Sequence, residues 1–345
     1  MKLVKVARAR ATWVVCLMGM SLSLAACGSG SDNASKGQAV HANHGAAVQG
    51  VNPALNLDQC GKDVRTIKHE VGTTKITGTP KRVVVLELSY VDAAVNSGIN
   101  PIGIADDDDP SRILPALRDK VGKYTSVGLR ATPNLQVILG LKPDLIIADS
   151  ERQKGIYKQL SKIAPTVEFP SLNANYQQTL DSGMLAAVAL NRCDAMKKRL
   201  TEHAAFMKKV KAAVPADEKR KAMFAIGTDK IFTAFSKAYF TDDVLAAVGI
   251  PSALDGKDGI ATIEMNLETV ASTNPAIMFI ARPAGVKSID QGWASNPLWK
   301  AIPAVKDKQV YTVDQNAWSR SRGIDAAELI ATQAVKDLYG ATVTP

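Results

Sequence analysis

Several things are scarce in this chain of 345 residues, and each scarcity excludes something. Aromatic residues are only 5% of it and cysteines number four, with no Cys-x-x-Cys and no His-Glu-x-x-His, so a structural zinc site or a zincin is disfavoured. There is no Gly-x-Ser-x-Gly elbow, no Walker loop and no Gly-x-Gly-x-x-Gly between a strand and a helix. The usual hydrolase, phosphate-cradling and dinucleotide-binding motifs are therefore absent. One charge excess is also smaller than it looks. The formal +9 includes Lys2, Lys5, Arg8 and Arg10 in an acid-free leader, and without them 38 basic residues face 33 acidic ones, a net of +5. Nucleic acid is thus not an expected partner. What remains, 46% hydrophobic with a mean hydropathy of −0.02, suits one or two compact domains.

The first 27 residues read as an export signal. A basic segment, Met1 to Arg10, precedes an apolar stretch, Ala11 to Ala26, that is short for a bilayer span and ends in small residues. Its end, Leu24-Ala25-Ala26-Cys27, resembles the lipobox of bacterial lipoproteins, which implies acylation of Cys27 and a lipid anchor on the extracytoplasmic face of the cell membrane. Small polar residues follow up to about Gly50 and read as a flexible tether. With Cys16 in the signal and Cys27 lipidated, Cys60 and Cys193 remain in an oxidising setting, either as one disulfide or as two separate buried thiols. His41-x-x-His44 has ligand-like spacing but falls in the tether and is read as incidental.

Beyond the tether, apolar runs alternate with helical patterns. Strands are expected at Arg82–Glu87, Pro101–Ile104, Asp144–Ala148 and Thr166–Phe169, with helices from an N-cap at Ser89 to Ser97, near Asn134–Leu141 and at Gly155–Ile163. Fully apolar strands in β-α-β order imply a parallel sheet covered on both faces. The pattern repeats: Asn134-Leu-Gln-Val-Ile followed by Pro143-Asp-Leu-Ile-Ile is echoed 132 residues later by Asn266-Leu-Glu-Thr-Val and Pro275-Ala-Ile-Met-Phe, and Asp92–Ile99 is echoed by Asp243–Ile250. Between the echoes, Asp194–Val214 contains no Gly or Pro and carries Met196, Leu200, His203, Met207, Val210 and Val214 as one apolar stripe, with His203 a packed core residue. Lys197, Lys198, Arg199, Lys208, Lys209 and Lys211 fall on the opposite faces. The expected organisation is an α/β protein of two similarly built lobes joined by one long helix: signal 1–27, tether 28–56, N-terminal lobe 57–190, bridging helix 191–214 and C-terminal lobe 215–345. The acidic run Asp106–Asp109 lacks the spacing of a calcium loop, and reads as a solvated loop face or as a cleft rim that orients an Arg.

Thr79-Pro-Lys-Arg-Val-Val-Val-Leu-Glu-Leu-Ser89, Ile102-Gly-Ile-Ala-Asp-Asp107, Ser126-Val-Gly-Leu-Arg130, Lys142-Pro-Asp-Leu-Ile-Ile-Ala-Asp-Ser150 and Asn316-Ala-Trp-Ser-Arg-Ser-Arg-Gly323 together resemble the iron(III)-dicitrate-binding members of the siderophore-binding proteins of ABC importers, from about Thr79 to Leu338. The resemblance implies two Rossmann-like lobes joined by a single long rigid helix, a ligand in the cleft between the lobes, no covalent chemistry, no cofactor, and iron(III) carried as a citrate chelate. Such a chelate is anionic and calls for arginine, whose planar fork donates bidentately to carboxylates, rather than for direct metal ligands. Arg130 and Arg152 follow N-lobe strand ends. Arg320 and Arg322, two apart, share one side of an extended segment, with Trp318 at the same parity to wall the chelate. Ser150, Leu88 and Ser89 are weaker candidates from strand ends. In the family an acidic residue on each lobe docks onto the permease; Glu268 matches this, whereas the N-lobe position is Gln136. A monomer is expected. The alternatives are a receptor for another ferric siderophore, haem or a corrinoid, and an extracytoplasmic enzyme acting on an anionic metabolite, which the missing catalytic motifs disfavour.

Overall fold

The computed structural model describes residues 50–344. The signal, Cys27, the His41 and His44 pair and the tether up to residue 49 lie outside the described residues. The chain is already anchored at Val51, which is buried, and the Asn52 N–H donates to Asp181 Oδ1 at 2.9 Å. Residues 50–56, expected to belong to the tether, thus lie against the N-terminal lobe, because Val51 and Leu55 find apolar neighbours there. A hairpin follows, β1 (Val64–His69) with β2 (Gly72–Thr77), turning Ile67 and Ile76 inward. Arg65 on β1 is fully buried without a salt bridge among the described residues. Its guanidinium donates to the carbonyls of Lys62 (2.7 Å), Gly78 (2.6 Å) and Ala189 (3.2 Å), pinning the hairpin to the lobe.

The first large sheet contains β3 (Val83–Val85), β4 (Gly103–Ile104), β5 (Thr125–Ser126), β6 (Leu145–Asp149) and β7 (Thr166–Phe169), all parallel, in the order β5-β4-β3-β6-β7. Its central strands β3 and β6 are buried throughout and apolar up to Asp149 at the end of β6, because helices cover both faces. The helix after β3 runs Leu88–Asn96, and Glu87, not Ser89, is its N-cap residue, since the backbone stays extended through Glu87 (φ −144°, ψ 150°). The second sheet contains β8 (Ala222–Gly227), β9 (Phe232–Phe235), β10 (Thr262–Glu264), β11 (Ile277–Ala281) and β12 (Val310–Val313), in the order β10-β9-β8-β11-β12. Here β9 runs antiparallel to both neighbours, because the connection from β8 is too short for a parallel crossover.

The echoes mark equivalent elements. Asn134 and Asn266 each cap a seven-residue helix, Leu135–Leu141 and Leu267–Thr273, each helix ends in a left-handed residue, Lys142 or Asn274, and each leads into a central strand, β6 or β11. Between the lobes runs the helix Cys193–Ala212, about 30 Å long at 1.5 Å per residue. It buries Met196, Leu200, His203, Phe206, Met207 and Val210. Arg199, expected on its solvated side, instead forms a bidentate pair with Glu328 (2.8 Å for both contacts), because the C-terminal helix Ile324–Tyr339 packs alongside. His203 joins the same group, with Nδ1 2.8 Å from Glu328 Oε1 and Nε2 against the Tyr176 hydroxyl. Cys60 and Cys193 form a disulfide that ties the start of this helix to the N-terminal segment.

Candidate functional site

Parallel strands deliver the residues that follow them to one edge of a sheet. In the first lobe these are Glu87 beyond β3, Asp106–Asp109 beyond β4, Val127–Arg130 beyond β5 and Ser150–Arg152 beyond β6. In the second lobe Asn316–Arg322 follows β12. The guanidinium groups from both lobes converge on Glu87, which is fully buried. Arg130 Nη1 lies 3.3 Å and Arg322 Nη2 3.0 Å from Glu87 Oε2, and Arg152 Nε meets Oε1. Arg130 also grips Asp107 through Nε (3.0 Å) and Nη2 (2.8 Å), while Arg112 Nη1 approaches the same carboxylate at 3.1 Å. Burial pushes the Asp107 carboxyl up, but the hydrogen bonds from Arg130 and the charge of Arg112 outweigh it and hold the group below the usual carboxylate range.

Arg320 differs from the others. Its Nη1 donates to Asn316 Oδ1 at 2.9 Å, and no carboxylate among the described residues lies within salt-bridge distance of it. Burial first, and then the positive charges of Arg112 and Arg130, lower its pKa, so it is a guanidinium whose charge lacks a partner. Arg322 is the opposite case: it is 2% exposed and donates to the Ser319 carbonyl (2.8 Å), Ser171 Oγ (3.3 Å) and Glu87. The two arginines are not alternating residues of an extended segment. Asn316–Arg320 coils into a π-helical turn, which breaks the two-residue parity.

The same turn sends Trp318 away from the cleft. Its ring is fully buried, 4.7 Å from Phe279 and 5.7 Å from Phe224 between centroids, and its Nε1–H donates to Gln333 at 2.8 Å. Trp318 is therefore part of the C-lobe core and does not wall a ligand. Leu88 is likewise a core residue. Ser89 Oγ lies 2.7 Å from Ser171 Oγ, just beneath Arg322. Ser150, half-buried, lines a separate cavity of about 200 Å³ with Asp149, Glu151, Ser171 and Asn173. Glu268 and Gln136 are exposed in the first turns of the two echoed helices and take no part in the cluster.

The sequence does not single out Glu87, Arg112, Asp149 or Gln153 as site residues, and reaches Asp107 only within the acidic run Asp106–Asp109. Asp149 organises the loop that carries Arg152, accepting from the N–H groups of Glu151 (2.9 Å), Arg152 (2.6 Å), Ser171 (2.8 Å) and Leu172 (2.8 Å). Gln153 bridges that loop to the Arg130 carbonyl at 2.5 Å. One signal is present: the acidic run, with Arg112 shortly after it beyond Pro110 and Ser111, is a rim that orients arginines, and Asp107 pairs with both Arg112 and Arg130.

Guanidinium groups brought from two α/β lobes to one shared place are what a two-lobed solute-binding protein needs to grip an anion. The chain belongs to the periplasmic binding protein family, which matches residues 83–317. It is similar to the Fe(3+)-citrate-binding protein YfmC of Bacillus subtilis, 43% identical over 296 residues that cover 85% of this chain and 93% of that one. It is also similar to the Fe(3+) dicitrate-binding periplasmic protein FecB of Escherichia coli, at 37% over 281 residues, 81% of this chain and 92% of that one. Among solved structures, Staphylococcus aureus SirA complexed with staphyloferrin B aligns with a TM-score of 0.68 at 27% identity, over 79% of this chain and 98% of that one. These relatives are substrate-binding proteins, in keeping with the family resemblance carried by the sequence motifs.

Proposed function

We propose that this protein captures iron(III) as its citrate chelate between the two lobes and delivers it to an ABC permease in the cytoplasmic membrane, without chemical conversion and as a monomer. The observation that carries the reading is the convergence of Arg112, Arg130, Arg152, Arg320 and Arg322, with Arg320 lacking a carboxylate partner among the described residues. Planar forks in fixed positions suit a ligand that presents several carboxylates, and the two relatives named for Fe(3+)-citrate supply the metal. Arg320 and Arg130 take the ligand directly, Arg112 and Arg152 flank it, and Arg322 supports the cluster from below. Cys27 carries the lipid anchor; two acyl chains hold a protein at a membrane where one binds marginally.

Glu268 supplies charge to the docking surface on the C-lobe, while Gln136 supplies only hydrogen bonds on the N-lobe, so the two halves contribute unequally. In cells that depend on ferric citrate, Glu268→Ala should slow uptake while leaving the affinity of the purified protein unchanged, and Cys27→Ser should release the protein from the membrane fraction. Normal uptake with correctly displayed Glu268→Ala would remove this residue from the docking surface, and a membrane-bound Cys27→Ser variant would remove the anchor.

A further inference from the structure

Glu87 is the group whose position the binding function does not by itself explain. A carboxylate at the heart of an anion site repels the ligand, yet this one is fully buried and touched by three arginines from two lobes. It is the N-cap residue of the helix Leu88–Asn96, where a carboxylate usually turns to the free N–H groups, but its side chain makes no capping bond. It turns to the arginines instead. Oε2 is shared by Arg130 from the N-lobe and Arg322 from the C-lobe, whereas the buried Oε1 has, among the described residues, only its ion pair with Arg152 and no donor in hydrogen-bond geometry. Five guanidinium groups thus face three carboxylates, Glu87, Asp107 and the more exposed Asp109 that lies 3.7 Å from Arg112, leaving a net positive excess for a ligand. Asp107 does a different job, since it fixes one face of Arg130 and Arg112 at the rim and is partly exposed.

We propose that Glu87 is a built-in competitor for the ligand's carboxylates: it holds Arg130, Arg152 and Arg322 together across the cleft when ligand is absent and, by opposing the ligand's charge, limits how tightly the anion is kept. The inference rests on the reading of the cluster as the site of an anionic chelate. Its physical basis is that a unit charge several ångströms from the ligand, in a medium far less polarisable than water, alters affinity by an order of magnitude or more. A purely structural carboxylate would behave in the other way, because its loss would loosen the arginines and weaken binding.

The test is titration of the purified protein with ferric citrate at fixed ionic strength, alongside thermal melts with and without ligand. Glu87→Gln should melt lower than wild type when unliganded, bind ferric citrate at least tenfold more tightly, dissociate more slowly and show a steeper dependence of affinity on salt. Glu87→Asp, which keeps the charge but draws it back from the arginines, should bind about threefold more tightly, and it decides the matter if Glu87→Gln does not fold. Wild-type or weaker affinity in the folded variant overturns the role of Glu87. Failure of the wild-type protein itself to bind ferric citrate is a separate outcome, which overturns the functional reading and this inference with it.

Discussion

Arg320 and Arg322 stand two residues apart and are held in contrasting ways, and this decides what their loss should do. Arg320 is half-buried with one amide partner, so Arg320→Ala should weaken ferric citrate binding by about 1.5–3 kcal/mol, the scale of a charge-assisted hydrogen bond, with an unchanged urea midpoint. Arg322 is buried in a network that includes Glu87, so Arg322→Ala should also cost about 2–4 kcal/mol of folding stability; an unshifted midpoint would show that the network contributes little. A second carboxylate, Glu168 on β7, is buried with neither oxygen hydrogen-bonded among the described residues. Burial, and then the charge of Asp149, pushes its pKa up to about 7, with Lys154 partly offsetting them. Because the folded value lies above the unfolded value of 4.5, the folded state holds this proton longer, so its contribution to stability is full below pH 4.5 and is lost as pH rises through about 7. Urea titrations between pH 5 and pH 8 should show a declining component of up to about 3 kcal/mol that Glu168→Gln abolishes. An identical pH profile in Glu168→Gln would exclude this group as its source.

Among the elements, the start of the helix Ile324–Tyr339 joins the two lobes directly. Asp92 on the N-lobe accepts from the Ile324 N–H (3.1 Å) and the Asp325 N–H (2.9 Å), and it comes so close that a Cβ on Gly323 would stand 2.7 Å from Asp92 Cβ. Gly323 also has φ 137°, which side chains other than hydrogen rarely tolerate. Gly323→Ala should therefore lower stability by more than about 2 kcal/mol and weaken binding with it, through the displaced Arg322; a wild-type melt would contradict this close approach. Elements built from local signals were legible in advance. The Asn-capped helices and the apolar strands after them recur because an N-cap and a β-branched run each act within a few residues. The helix Tyr176–Ala189 is not among the expected helices although Asn175 and Gln178 form its capping box, and the π-helical turn at Asn316–Arg320 carries no local mark. That turn displaced Trp318 from the predicted ligand wall into the core.

At the scale of the whole molecule, the two-lobe plan followed from the echoes and the uninterrupted helix between them, whereas the composition of the site did not. Strand ends pointed to Arg130 and Arg152, and the motif Asn316–Gly323 to Arg320 and Arg322. Their common partner, Glu87, lies 235 residues from Arg322 and declares itself only when the lobes are placed together. The antiparallel β9 was hidden for a related reason, since strand direction depends on the length of the connection and on the neighbour it meets. The central claim is that the arginines from both lobes recognise a ferric carboxylate chelate and not a free carboxylate. Isothermal titration of the purified protein with ferric citrate and with iron-free citrate, repeated on the Arg130→Ala/Arg320→Ala double variant, tests it most directly. Ferric citrate should bind at least about 100-fold more tightly than citrate alone, a difference near 3 kcal/mol, and the double variant should lose most of that affinity. Equal binding of iron-free citrate, or full affinity in the double variant, would contradict it.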